Sequence, residues 1–339
     1  MALFRARNSA GPTPLEGVDV VLADLDGVVY KGHEAIPHAV ESLNRAAEQA
    51  RVAYITNNAS RTDAAVAKQL QGFGLSVEAT DVVTSPQAAV RLLAGLVPEG
   101  SRILVIGGEG LSSVVADAGF TVVESADDEP AAVIQGFAPE IGWKQLAEAS
   151  FALAGGDEGI PWVATNTDWT IPVARGVAPG NGTLVSAVHT AVGRLPVVAG
   201  KPEVAIFDEA RTRFGAKHPI FIGDRLDTDV LGANRAGIDS VLVLTGIDRA
   251  KQLLAAGADS RPTYILDDLR GLHEPYPTAE KGRGGAVVVG DAAVRVNGTT
   301  VEIVREGSDP LNLLRAACRA IWDSGLAIYA LDVPERLYT

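Results

Sequence analysis

Cys318 is the only cysteine among the 339 residues of the chain, so no internal disulfide can form, and a reducing cytoplasm is the expected setting. Positive charge is also scarce: 29 lysines and arginines stand against 42 aspartates and glutamates, for a net charge of -13 and an isoelectric point near 4.9. So acidic a chain excludes nucleic acid and anionic membranes as expected partners, because both call for a basic patch. No apolar run approaches the roughly 18 residues of a membrane span. Residues 1–17 lack the apolar stretch of a signal peptide, and the part holding Gly11, Pro12 and Pro14 reads as a frayed leader. What is plentiful is apolar sequence, 47% of residues, enough at this length for a sizeable core divided among two or three domains.

Four polar segments interrupt that apolar background, each directly after a run with strand character: Asp24-Leu25-Asp26-Gly27-Val28, Thr56-Asn57-Asn58, Lys201-Pro202, and Gly223-Asp224-Arg225-Leu226-Asp227-Thr228-Asp229. The preceding runs are residues 18–23, 52–55, 197–200 and 219–223. Each segment is therefore expected at the carboxyl end of a buried strand, where open α/β sheets bind their ligands. Taken singly, an Asp-x-Asp-Gly, a Thr-Asn-Asn or a Lys-Pro is ordinarily a solvated turn. Accidental turns would not be expected to repeat the same strand-then-polar arrangement four times.

The residue types suit transfer of a phosphoryl group. A phosphate monoester resists hydrolysis because its oxygens repel nucleophiles and its alkoxide leaves poorly, so catalysis needs a positioned nucleophile, charge neutralisation and a proton donor. Asp24 is the expected nucleophile, forming an aspartyl-phosphate. Asp26, separated from it by one residue and followed by the turn-permissive Gly27, is the expected general acid and then base. Thr56, Asn57 and Asn58 would offer a hydroxyl and amides to phosphoryl oxygens, and the Lys201 ammonium a compact positive charge. Asp224, with Asp24 and a backbone carbonyl, would give Mg²⁺ the few hard oxygen ligands it takes up. Asp227 and Asp229 lie just beyond, and Asp229 is the better placed to support those ligands from behind.

These four segments resemble the four motifs of the haloacid dehalogenase superfamily of aspartate-nucleophile phosphatases, over about residues 18–272. The resemblance implies that Mg²⁺ is held by Asp24, Asp224 and the backbone carbonyl of Asp26, whose side chain stays available for proton transfer. Asp at position 26 fits the phosphatases of the superfamily, where P-type ATPases carry Thr. Val28 stands where many members have Thr, a change tolerated in the branch with this Asp-Leu-Asp-Gly-Val sequence.

Strand and helix signals alternate along the chain, predicting an α/β protein with a doubly wound, mostly parallel Rossmann-like core. Helices are expected over 37–50, 62–73, 202–214, 228–236 and 248–256, the second opened by a capping box from Ser60 to Asp63. A simple crossover between Thr56 and Lys201 would need only about thirty residues, so a whole domain is inserted there. The expected division is a catalytic core of residues 15–80 and 196–273, an inserted cap of 81–195, a linker of 274–284 and a small α+β extension of 285–339. The cap carries strands near 102–106, 120–123, 132–137 and 161–165. Its Gly107-Gly108-Glu109-Gly110 reads as a tight strand-to-helix turn rather than a dinucleotide cradle. In the extension, Asn297-Gly298 between apolar alternations predicts a hairpin, followed by a helix over 310–324 and a last strand over 326–331.

An insertion of this size after the second motif resembles the superfamily's C2 cap, subclass A. Residues 166–172 and 179–182 match segments near its specificity loop, making Trp169, Arg175 and His189 candidate substrate contacts; packing serves Trp169 and His189 as well. The extension resembles a truncated acetyltransferase-like module found on bacterial glycerol-3-phosphate phosphatases of that cap class. It has no acetyl-CoA pyrophosphate loop, which leaves it packing, regulation or contact in a homo-oligomer. The resemblance thus implies a cytoplasmic enzyme hydrolysing a small phosphorylated metabolite: glycerol 3-phosphate first, with phosphoglycolate, a nucleoside monophosphate or pyridoxal phosphate as alternatives. The contrasting reading is a non-catalytic phosphometabolite sensor.

Overall fold

The structure, a computed structural model, describes residues 11–155, 159–173 and 175–339. It divides into two compact units, Met1–Val52 with His218–Thr339, and Ala53–Lys217.

The first unit carries four parallel strands in the order Tyr264–Leu266, Asp239–Val243, Pro219–Gly223 and Val20–Ala23. Val20–Ala23 is buried at every position, as in a parallel strand covered on both faces, which is why its sequence is a continuous apolar run without alternation. The helix Ala39–Ala46 buries Ala39, Ser42, Leu43 and Ala46 along one stripe. Beyond Pro219–Gly223 the chain enters a wide π-turn, Leu226–Val230, and continues as the helix Leu231–Arg235. The sequence predicted one regular helix over 228–236; the wide first turn is what lets Asp229 reach back to the end of the strand.

The same unit holds an antiparallel sheet of Ala279–Lys281, Val287–Val289, Ala292–Asn297 and Thr300–Arg305, covered by the helix Pro310–Ser324. Asn297 pairs with Thr300 across the expected hairpin, with Gly298 left-handed at φ 60°. The Asp309 carboxylate accepts the Leu311 N–H at 2.9 Å and Pro310 opens the helix. Ala279–Lys281 forms a strand inside the stretch expected as linker. The last strand predicted over 326–331 is a short 3₁₀ turn, Ile328–Ala330. Backbone bonds from Ala330 to Ala327 and from Leu331 to Ile328 close that turn, and the only β contact left is the isolated bridge of Asp332 to Thr300.

One apolar core joins the two sheets of this unit. Leu226, Val230, Leu242, Leu253, Leu254 and Ile265 from the parallel part pack in a single buried cluster with Val289, Val294, Leu313, Ala317, Cys318 and Ile321 from the antiparallel part. Burial pushes the Cys318 thiol far above its ordinary pKa, so it behaves as a small apolar side chain. Arg315 on the long helix donates through Nη2 and Nε to the Ile265 carbonyl at 2.7 and 3.0 Å and stacks over Tyr276, whose hydroxyl accepts the Ile265 N–H at 3.0 Å.

The second unit is built on five parallel strands in the order Val197–Val198, Trp162–Ala164, Ala132–Gln135, Arg102–Ile106 and Thr121–Val123. It also contains Arg51–Thr56 from residue 53 on, paired in parallel with Val82–Thr84. The helix expected from 62 is Asp63–Gly72, capped by the Thr62 hydroxyl accepting the Ala65 N–H at 3.2 Å. The Ser60-to-Asp63 box does not form, because the Ser60 N–H and hydroxyl both turn back to the side-chain Oδ1 of Asn58. Gly107 and Gly108 make the expected tight turn into the helix Glu109–Asp117. Among the described residues no helix is long and apolar enough to cross a membrane.

Candidate active site

Asp24 follows Val20–Ala23, and its N–H continues the ladder to the Ile222 carbonyl at 2.8 Å. On the neighbouring strand the register Ala23 to Ile222 sets Asp24 opposite Gly223, with Asp224 one residue further on, so parallel pairing brings both carboxylates to the same end of the sheet. Asp229 joins them from the wide turn. One carboxylate oxygen from each of Asp24, Asp224 and Asp229 lies within 4.8 Å of the others. Asp24 is 9% exposed, Asp224 and Asp229 1% each. Three carboxylates this close and this dry repel one another strongly unless a cation sits among them, and an all-oxygen anionic set fits a hard divalent ion.

Asp229 is bound into this group more firmly than the sequence suggested. Its Oδ2 accepts the N–H groups of Asp224 at 3.0 Å and Arg225 at 3.1 Å. Gly223 is required beneath it, because a Cβ there would fall on the Asp229 side chain. The side chain of Asp26 lies outside the carboxylate group and is exposed. The turn that carries it closes through Gly27 N–H to the Tyr30 carbonyl at 2.9 Å. Gly27 has φ 83°, and a Cβ at this position would strike the Asp224 carboxylate.

Two residues that the sequence reading left out face the same group. The Thr245 hydroxyl donates to the Gly27 carbonyl at 2.6 Å, and the Asp248 carboxylate accepts the Leu226 N–H at 2.6 Å. Burial pushes the Asp248 carboxyl above its ordinary value and the charges of Asp227 and Asp229 add to this, against the Leu226 N–H and Arg225. The signal that could have found them is the one used elsewhere: Thr245-Gly246-Ile247-Asp248 directly follows the apolar run Asp239–Val243 and Leu244.

In the second unit Thr56 ends its strand 4% exposed, with its hydroxyl accepting the Asn58 N–H at 3.1 Å. Asn57 and Lys201, far apart in sequence, are brought together. The Asn57 side chain accepts the Lys201 N–H at 2.8 Å and donates to the Lys201 carbonyl at 3.1 Å and to Asp168 at 3.2 Å. Its own carbonyl accepts from Ser85 and Asn166, both at 2.8 Å, and the Asn166 carbonyl in turn accepts from Asn181 at 2.7 Å. Asn57 is thus committed to holding backbone, and Lys201, 4% exposed, is held by it. Gly200 lets these strands approach: a Cβ there would meet the Thr165 carbonyl and Asn57. Asn181 falls in the matched segment 179–182, whereas Ser85 is absent from the sequence reading because a lone Ser at a helix start carries no signal beyond capping.

Of the cap candidates, Trp169 is 65% exposed, with its carbonyl accepting Gly180 N–H at 2.8 Å and the Thr183 hydroxyl at 2.9 Å. Arg175 is exposed in the hairpin of Thr170–Val173 and Gly176–Pro179; Ala174 lies outside the described residues. His189 sits in the last turn of the helix Asn181–Val192 with Nδ1 2.9 Å from the Arg194 carbonyl, a structural placement.

Paired aspartates at adjoining strand ends and a third carboxylate from the following turn define an aspartate-based hydrolase of the haloacid dehalogenase type. The chain belongs to that family: the model for haloacid dehalogenase-like hydrolases matches residues 21–121, and a related model for hydrolases of that type matches residues 198–272. It is similar to the D-glycerol 3-phosphate phosphatase of Mycobacterium tuberculosis, with 42% identity over 91% of this chain and 87% of that one. It is 35% identical to the glycerol-3-phosphate phosphatase of Gallus gallus, over 79% of this chain and 96% of the other. A crystal structure of the Mycobacterium tuberculosis glycerol phosphate phosphatase in complex with magnesium superposes with a TM-score of 0.81 at 39% identity, covering 96% of each chain.

Proposed function

We propose that this protein is a Mg²⁺-dependent phosphatase that hydrolyses glycerol 3-phosphate to glycerol and phosphate, with Asp24 as nucleophile. The observation that carries the reading is the buried group of Asp24, Asp224 and Asp229 within 4.8 Å, in a chain whose relatives include phosphatases named for that substrate. Asp24 attacks phosphorus and the glycerol oxygen leaves as Asp26 donates a proton to it; Asp26 then takes a proton from the water that hydrolyses the aspartyl-phosphate. Thr56, Asn58 and Lys201 are the phosphate-binding groups, with Asn57 fixing Lys201. Asp24, Asp224, Asp229 and the Asp26 carbonyl would hold Mg²⁺, which when bound offsets the charge of carboxylates and phosphate alike.

The test is phosphate release from a panel of small phosphate monoesters, with and without Mg²⁺, by the wild type and by Asp24→Asn. Glycerol 3-phosphate should give the highest kcat/KM, EDTA should abolish turnover, and Asp24→Asn should lack activity while keeping its circular dichroism. Phosphate release by Asp24→Asn at the wild-type rate overturns the mechanism, and a better monoester overturns the substrate.

A further inference from the structure

We propose that the loop from Thr245 to Asp248 is a clamp that sets the position of the metal-binding carboxylate of Asp224, with the Asp248 carboxylate as its anchor. The inference rests on the reading of Asp224 as a metal ligand.

Four contacts from this short loop converge on the two segments that carry the ligands. The Ile247 N–H donates to Asp224 Oδ2 at 2.6 Å, directly orienting the carboxylate. The Asp248 N–H donates to the Asp224 carbonyl at 3.1 Å, so both the side chain and the backbone of Asp224 are gripped by consecutive amides. The Asp248 carboxylate accepts the Leu226 N–H at 2.6 Å, tying the loop to the start of the turn that brings in Asp229. The Thr245 hydroxyl donates to the Gly27 carbonyl at 2.6 Å, tying it also to the turn behind Asp24. Gly246 lies so close that a Cβ there would overlap the Asp224 carboxylate, and Gly27 presses on the same carboxylate from the opposite segment. The carboxylate is thus confined by two glycines and oriented by the Ile247 N–H, and charge-assisted bonds of this kind are the strong ones. Asp248 acts through its side chain on the backbone, at the Leu226 N–H. It is a positioning residue: without its acceptor, the Leu226 N–H loses its partner and the loop its anchorage.

The experiment measures Mg²⁺ binding to the full chain by calorimetry, without substrate, alongside the Mg²⁺ dependence of p-nitrophenyl phosphate turnover. Asp248→Ala is expected to weaken Mg²⁺ binding about 10-fold or more, the usual effect of removing a group that orients a metal ligand, with turnover at saturating Mg²⁺ within about threefold of wild type. Asp248→Asn keeps an oxygen acceptor for Leu226 and should recover affinity to within about threefold. Wild-type affinity in Asp248→Ala, or a loss in Asp248→Asn as large as in Asp248→Ala, overturns the clamp, the latter because it would assign the effect to charge. If Asp248→Ala does not fold, Thr245→Val decides: it should also raise the Mg²⁺ dissociation constant, and no change refutes the proposal. Failure of the phosphatase reading is separately visible as absence of phosphate release by the wild type, whatever the isotherms show.

Discussion

The side-chain amide of Asn57 pairs with both backbone groups of Lys201, accepting its N–H at 2.8 Å and donating to its carbonyl at 3.1 Å, just as a neighbouring strand would. A lysine has four flexible side-chain bonds and is costly to order. Fixing the backbone from which it springs removes part of that freedom before any substrate arrives.

Asn57→Ala is therefore expected to lower kcat/KM by about 10- to 100-fold, the range set by losing roughly 1–3 kcal/mol of buried hydrogen bonding. Asn57→Ser, too short to span both groups, should be nearly as poor. Steady-state kinetics on glycerol 3-phosphate check this, and an Asn57→Ala enzyme of wild-type efficiency would deny the amide any role in placing Lys201.

Asp26→Asn should slow glycerol 3-phosphate hydrolysis by about 10²- to 10⁴-fold, the usual contribution of general acid-base catalysis. With p-nitrophenyl phosphate, whose leaving group scarcely needs a proton, the loss should be smaller. Equal losses on both substrates would remove Asp26 from the proton-transfer role.

The acid stability of the second unit should depend on Glu209. Burial raises its carboxyl pKa, but bonds from Arg91 at 2.8 Å and from Arg213 Nη2 at 2.7 Å outweigh this and hold it below its usual value of 4.5. A carboxylate with a depressed folded-state pKa stabilises above its unfolded value and loses that contribution as pH falls through the folded one. Glu209→Gln is expected to destabilise by about 1–3 kcal/mol at pH 7, with the gap closing as pH falls below the usual carboxyl value of 4.5. Urea unfolding at several pH values reads this out, and a pH-independent gap would assign the effect to packing.

Truncation tests the C-terminal sheet and helix. Because Leu313, Ala317 and Ile321 complete the core that Leu242, Leu253 and Ile265 begin, deleting residues 286–339 should expose apolar surface and give an aggregating product. A soluble monomer with the wild-type melting temperature would show that the two parts are energetically separate.

Much of this was legible in the sequence because parallel strands buried on both faces leave uninterrupted apolar runs, and the polar residue ending each run stands out. That rule located Asp24, Thr56, Lys201 and Asp224 and placed Pro219–Gly223 at its observed bounds, while apolar residues at helical spacing did the same for Pro310–Ser324. It missed what depends on distant backbone. The sequence places Asp229 behind the ligands, and the wide turn after Arg225 brings its carboxylate in among them; Asp248 and Thr245 matter through bonds to Leu226 and Gly27 that no spacing encodes. The last strand failed for a related reason: residues 326–331 are apolar enough for β structure, but their backbone closes on itself before reaching an edge.

The pairing of Val20–Ala23 with Pro219–Gly223 also dictates an order of events during synthesis. The first strand is translated early, yet Pro219–Gly223, its partner on one edge, is translated only after Ala53–Lys217 is complete. At about 5–20 residues per second this is a delay of roughly 10–40 s. Ala53–Lys217, continuous in sequence, is synthesised within that interval, while the edge of Val20–Ala23 that pairs with Pro219–Gly223 stays open on the nascent chain. The nascent protein is thus most vulnerable to misassociation just before Gly223 emerges, and slower translation of residues 218–223 should lower its yield more than the same slowing after residue 266.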